Sequence, residues 1–139
     1  MILITCIDAN GGLRFNKRRQ SRDRAVCADI LAHCGGAPLW MAEKSAALFE
    51  DAPNLCIAED CLARAGNGEY CFLEDTPDYT LTYEGAVLYC WNRIYPKDTV
   101  LDRERLTGGM TLLEQSEFAG NSHEKITKEV FYNGKTPQP

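Results

Sequence analysis

The sequence predicts an α/β domain whose central sheet is mainly parallel, flanked by helices and finished by an antiparallel C-terminal hairpin. Two observations carry that reading. Short apolar, strand-like runs recur from the first residue to position 91, and the early ones alternate with segments of helical character. The last two strand-like runs instead follow one another across a short loop, which makes an antiparallel edge. At 139 residues the chain is one domain, placed at 1–132. A domain of this size buries roughly two-thirds of its unfolded surface. Residues 133–139 read as a frayed tail.

Residues 1–7 form a buried strand, stopped by the turn signal Asp8-Ala-Asn-Gly-Gly12. A loop with a basic run follows. Ser21 is a fair N-cap for a helix over 22–34, with Ala25, Val26, Ile30 and Leu31 on its apolar side and Gly35-Gly36 as its stop. Residues 38–41 make a short buried strand, 43–50 a second helix and 54–58 a third strand. A helical turn reaches Ala65, and Gly66-Asn-Gly68 breaks it before interior strands at 70–73 and 86–91. Residues 111–118 and 125–132 are the hairpin, joined by Ala119-Gly-Asn-Ser-His123.

Composition bounds the function. Net charge −5 argues against a general nucleic-acid binder, which would be basic as a whole. The seven cysteines, at 6, 27, 34, 56, 61, 71 and 90, are odd in number and form no C-x-x-C pair. Buried reduced thiols in a cytoplasmic protein are the natural reading. The N-terminus has no basic leader, and no apolar stretch approaches membrane-spanning length, so the expected location is the cytoplasm with no membrane partner. His33 lies near Cys27 and Cys34, but no second pair at zinc-ligand spacing accompanies them, so no metal site is expected.

Against this acidic background, residues 14–24 hold six cations and one carboxylate. The other 128 residues carry nine bases against nineteen acids. Such concentration of charge points to an anionic partner, although exposed arginines are also often simply solvated. Arg14, Arg19 and Arg22 are the candidate ligand contacts, since a guanidinium fork matches phosphate and carboxylate. The single acid, Asp23, would be kept ionised by its neighbours Arg22 and Arg24. It also sits where a helix dipole alone would stabilise it, so an anchoring and a structural role both stand open. His123 lies in Asn121-Ser122-His123-Glu124-Lys125, a hairpin loop that gathers hydroxyl, imidazole, carboxylate and ammonium as an active-site loop does.

The order of these pieces resembles dihydrofolate reductase over most of the chain. That family opens with a strand, then a Gly-containing loop leading to a helix with an acid near its start; Gly12, Asn16 and Asp23 suit those places. The resemblance implies that Asp23 contacts a pterin-like ring. The family's Met-Gly-Arg-x-Thr turn is similar to Met41-Ala-Glu-Lys-Ser45, which makes Ser45 a ligand-side candidate. Its Gly-Asp-Thr is similar to Lys97-Asp98-Thr99, which implies that Thr99 stands behind Asp23.

The chain departs from the family where the cofactor binds. Glu43 replaces the phosphate-holding Arg, and Phe72-Leu-Glu-Asp-Thr76 has two acids where a Gly-Gly pair would admit a pyrophosphate. Arg19-Gln20 replaces the Pro-Trp before the acid. No cofactor is therefore expected, and efficient NADPH-dependent reduction is not. The sequence also resembles short bacterial proteins sharing N-G-G-x-x-F-N and F-A-G-x-S-H-E-K-I-T stretches, some labelled ribonuclease Z. That chemistry needs a clustered His-x-His-x-Asp-His set for two metals, and His33 and His123 are the chain's two histidines. The leading expectation is a cleft for a small anionic ligand, nucleotide- or pterin-like. The alternative is a regulator or inhibitor that docks an acidic protein or nucleic acid through 14–24. Under the first, replacing Asp23 by Asn should weaken binding and leave the melting temperature nearly unchanged.

Overall fold

The computed structural model describes residues 1–50 and 52–134. In chain order the strands and helices are β1 (Ile2–Ile7), β2 (Gly12–Phe15), β3 (Arg18–Arg19), α1 (Arg24–Cys34), β4 (Leu39–Met41) and α2 (Glu43–Ala46). A 3-10 turn, Ala47–Phe49, continues α2. Then come β5 (Leu55–Ile57), α3 (Cys61–Arg64), β6 (Tyr70–Phe72), β7 (Gly85–Cys90), β8 (Thr99–Val100), α4 (Arg103–Thr107), β9 (Thr111–Phe118) and β10 (Ile126–Tyr132). Seven strands form one sheet in the order β5-β4-β6-β1-β7-β10-β9. β5 through β7 are mutually parallel, and β10 pairs antiparallel with both β7 and β9. This is the mainly parallel α/β sheet with an antiparallel C-terminal hairpin that the apolar runs predict.

Alternation along β1 divides the core between the two faces of the sheet. Ile4 packs with Val26 and Ile30 of α1 and with Met41, Phe72 and Tyr89. Leu3 and Ile7 face Leu13, Leu88, Leu101 and Leu106 on the other side. Leu3, Ile4, Ile30 and Tyr89 are fully buried, so the sheet is covered on both faces, as a largely parallel sheet must be. Gly35 ends α1 in the left-handed region at φ 58°, returning its N–H to Leu31 and Ala32.

Four local expectations are corrected. The basic run is not an irregular loop. Its first half is the hairpin β2–β3, turned by Asn16 and Lys17 at φ 52° and 61°, the positive values that a two-residue primed turn requires. β8 joins β2 on the other side, making a small three-stranded sheet. The first helix begins at Arg24 with Asp23, not Ser21, as its N-cap, because the Asp23 carboxylate accepts from Ala25 N at 2.8 Å. The second helix stops at Ala46 and tightens into the 3-10 turn. α4, capped by Asp102, was hidden by its five-residue length. Asn133, the first residue of the expected tail, is bonded to the backbone of Glu84 and Tyr83, and residues 135–139 lie outside the described residues.

No disulfide links cysteines among the described residues, and Cys61 and Cys71 bring their sulfurs to 3.3 Å. Among the described residues no helix is long and apolar enough to cross a membrane. None of their His, Cys, Asp and Glu side chains gather in threes to hold a metal ion.

Candidate functional site

Asp23 is the hub of the site. The loop between β9 and β10 folds back over the start of α1 and aims two backbone N–H groups at the Asp23 carboxylate. Oδ1 accepts from Ala25 N and Asn121 N, each at 2.8 Å. Oδ2 accepts from Ser122 N at 2.8 Å and from His123 Nδ1 at 2.9 Å. Gly120 makes this approach possible: a Cβ there would stand 2.6 Å from Asp23 Oδ2 and 2.7 Å from the His123 carbonyl oxygen. Burial alone would raise the Asp23 pKa. The N–H of Asn121, His123, and the N–H groups of Ser122 and Ala25 outweigh it and hold the carboxyl well below the usual carboxylate range.

His123 is buried, although it comes from a hairpin loop. It is 4% exposed, stacked on Trp91 at 4.7 Å between ring centroids and 21° between planes. With Nδ1 facing a carboxylate, that nitrogen carries a proton. Nε2 lies 2.9 Å from Ser21 Oγ and 3.0 Å from the Tyr95 hydroxyl. Tyr95 also donates to Ser21 Oγ at 3.4 Å. The result is a hydrogen-bonded chain from Asp23 through His123 to Ser21 and Tyr95.

Asp8 holds the neighbouring corner. It is 1% exposed and accepts from Gly12 N at 2.8 Å, Asn10 N at 2.9 Å, Tyr95 N at 3.1 Å and Gln20 Nε2 at 3.1 Å, and it pairs with Lys97 at 2.9 Å. Against burial, the Lys97 ammonium and these N–H groups lower its carboxyl to about 2. Asp8 thereby fixes both Tyr95 and Gln20 beside the site.

The other predicted residues are distributed unevenly. Arg19 Nε and Nη2 donate to Glu74 at 2.7 and 3.0 Å, and Ser45 Oγ donates to the same carboxylate at 2.6 Å. The Glu74 carboxylate raises the Arg19 pKa further. Arg14 is ion-paired with Asp75. So the two acids that follow β6 neutralise two of the six cations of the basic run. Arg22 and Arg24 are exposed and, among the described residues, carry no ion pair. Thr99 does not stand behind Asp23. It lies in β8 beside Arg14 and donates to Asp98 Oδ1 at 3.1 Å, while His123 fills the place the resemblance gave it.

Two adjoining cavities open here. One is a narrow slot of about 20 Å³ with Val26, Ile30, Phe72 and Trp91 on its apolar side and Ser21, Gln20 and Glu74 on its polar side. The other is a polar basin of about 490 Å³ lined by Arg22, Arg24, Glu50, Asn121 and Ser122 among others. Arg22, Asp23, Cys27 and Leu48 line both. Cys27 is not a ready nucleophile, because burial pushes its thiol up to about 11. Cys6, also on the slot, is raised by burial too. Gln20 Oε1 is buried and has no hydrogen-bond partner among the described residues.

Ser21, Gln20, Trp91 and Tyr95 were not singled out as site residues in the sequence. Ser21 carries a competing signal there as a helix cap, and the others acquire meaning only from what they meet across the fold.

No protein-family model matches the sequence. No curated protein matches it. Among solved structures, the chain is similar to a dihydrofolate reductase from Enterococcus faecalis complexed with NADP(H) and RAB-propyl, with a TM-score of 0.62. The match covers 96% of both chains at 10% sequence identity, which speaks for architecture alone. Sheet order, parallel core, closing hairpin and this similarity agree: the chain has a dihydrofolate-reductase-like fold.

Proposed function

We propose that the cleft binds a small anionic, nucleotide-like ligand and does not support efficient NADPH-dependent reduction. The observation that carries the reading is the polar basin with two exposed guanidinium groups, Arg22 and Arg24, free of ion pairs among the described residues. Arginine forks in that position suit a phosphate or carboxylate. Gln20 Oε1 adds a buried acceptor on the adjoining slot, which a ligand N–H could satisfy. The slot itself holds about one water, so a pterin ring would have to widen it. The basin is the better seat.

The residues do not fit a nicotinamide dinucleotide. Where the resemblance puts a glycine cradle, Glu74 and Asp75 bring carboxylates committed to Arg19 and Arg14. A pyrophosphate there would have to displace those two carboxylates from Arg19 and Arg14. Arg14, Arg19 and Ser45 are correspondingly spoken for, which leaves Arg22 as the retained contact from the sequence reading.

A thermal-shift panel tests this at low and moderate salt, with mononucleotides, NADPH, dihydrofolate and a short single-stranded oligonucleotide. A ligand at 100 times its dissociation constant adds about 2.7 kcal/mol, a shift of several degrees. A mononucleotide shift that survives moderate salt and is lost in R22A is expected. Stabilisation by NADPH would overturn the cofactor part. Stabilisation by the oligonucleotide alone, at low salt alone, would move the reading to a docking surface on 14–24.

A further inference from the structure

Beyond binding, we propose that Ser21 is a nucleophile, activated by His123 and oriented through Asp23, that hydrolyses a small carboxylic ester admitted from the basin. Three observations carry it. Nucleophile, base and orienting group lie in hydrogen-bond sequence, with Ser21 Oγ to His123 Nε2 and His123 Nδ1 to Asp23 Oδ2 both at 2.9 Å. The base is rigid, because Trp91 stacks on one face of the imidazole and Asp23 is itself fixed by three backbone N–H groups. Ser21 lines the slot, whereas Tyr95, the other hydroxyl on Nε2, lines a separate surface hollow with Phe15 and Pro96. Ser21 is thus the hydroxyl that a substrate meets once it enters from the basin and widens the slot, which at rest holds about one water.

The step balances without a cofactor. Ser21 Oγ forms a bond to the ester carbonyl carbon as its proton passes to His123 Nε2. The carbonyl electron pair moves to oxygen, and Arg22, which also lines the slot, is the cation available to that charge. Collapse breaks the ester C–O bond, and His123 returns the proton to the departing alkoxide. Water, deprotonated by the same nitrogen, then releases the acid and restores Ser21. Asp23 is a positioning residue throughout, holding Nδ1–H so that Nε2 faces Ser21. The proposal uses the cleft of the binding reading but not its anion, so failure of nucleotides to stabilise the protein would leave Ser21 reactivity standing.

The test is reaction of the intact protein with a small alkyl fluorophosphonate. Ser21 Oγ bonds to phosphorus, fluoride leaves, and the hydroxyl proton passes through His123 to solvent. One phosphonyl group per chain is expected, mapped by tandem mass spectrometry to Ser21 and absent in S21A. In H123Q, verified as folded by circular dichroism, the labelling rate should fall by about 100-fold or more. Labelling elsewhere with Ser21 untouched, or an unchanged rate in folded H123Q, would overturn the proposal. If H123Q does not fold, selectivity for Ser21 over Ser122 in the wild-type protein decides it, since Ser122 Oγ lies 3.3 Å from the same carboxylate but faces no Nε2. Equal labelling of the two serines counts against it.

Discussion

Replacing Asp23 by Asn should lower stability by about 3 kcal/mol and the melting temperature by roughly 10 °C. The reason is stoichiometry. Oδ1 of Asp23 accepts from Ala25 N and Asn121 N, and Oδ2 from Ser122 N, His123 Nδ1 and, more distantly, Ser122 Oγ at 3.3 Å. An amide has one acceptor oxygen, so its NH2 must face at least one buried backbone N–H, whichever way it turns, and on the Oδ2 side it also forces His123 to give up its Nδ1 proton. Helix capping as such is not the issue, because Asn caps as well as Asp. An unfolding free energy in urea within about 0.5 kcal/mol of wild type, the outcome expected of a carboxylate that only binds ligand, would show that the clamp is not what holds the hairpin loop to α1.

The same carboxylate sets the acid limb of the stability curve. Its folded pKa lies below the ordinary 3.8, so its contribution is complete above that value and drains away as pH falls beneath it. Asp8, at about 2, adds to the slope over the same range. The wild-type protein should therefore lose stability steeply below pH 3.8. D23N, with one of the two carboxylates gone, should lose it less steeply.

The second large effect is at Glu74. Removing its side chain in E74A leaves Ser45 Oγ and Arg19 Nε without their acceptor and Arg19 Nη2 with the Lys44 carbonyl alone, in a place where the Glu74 side chain is 11% exposed and Arg19 30%. Loss of one member of a buried pair costs about 3–5 kcal/mol, and the part-exposed Arg19 should recover some of that through solvent. A drop of about 2 kcal/mol is expected by chemical denaturation. The cycle of E74A, R19A and the double variant isolates the pair; a coupling energy near zero would contradict the assignment of Glu74 as the counterion of the basic run.

These cases show what the linear chain displays and what it hides. Strand runs, the Gly35 stop of α1 and the terminal hairpin are local signals, because burial pattern and turn chemistry act over a few residues. The basic segment was visible as a charge anomaly, and Glu74 and Asp75 were visible as acids in place of glycines. That one answers the other is a tertiary fact, with Arg19 and Glu74 meeting across 55 positions. Likewise Asp23 and His123 each stand out in sequence, yet they lie 100 residues apart. Their meeting depends on β10 pairing antiparallel with β7, which delivers the 119–123 loop to the start of α1. Ser21 was masked by its own plausibility as an N-cap, a role that Asp23, two residues on, performs. Thr99 shows the opposite failure: a tripeptide likeness placed it beside Asp23, while pairing with β2 puts it beside Arg14.

Asp23 and His123 form one fixed unit at the heart of the cleft. Long-range ¹H–¹⁵N correlation on the histidine rings tests it most directly, with H123Q used to assign the signal. A His123 Nδ1 proton, downfield and slow to exchange, is expected in the wild-type protein and should disappear in D23N. A His123 ring with no protected Nδ1 proton, or one that is unaffected by D23N, would contradict it.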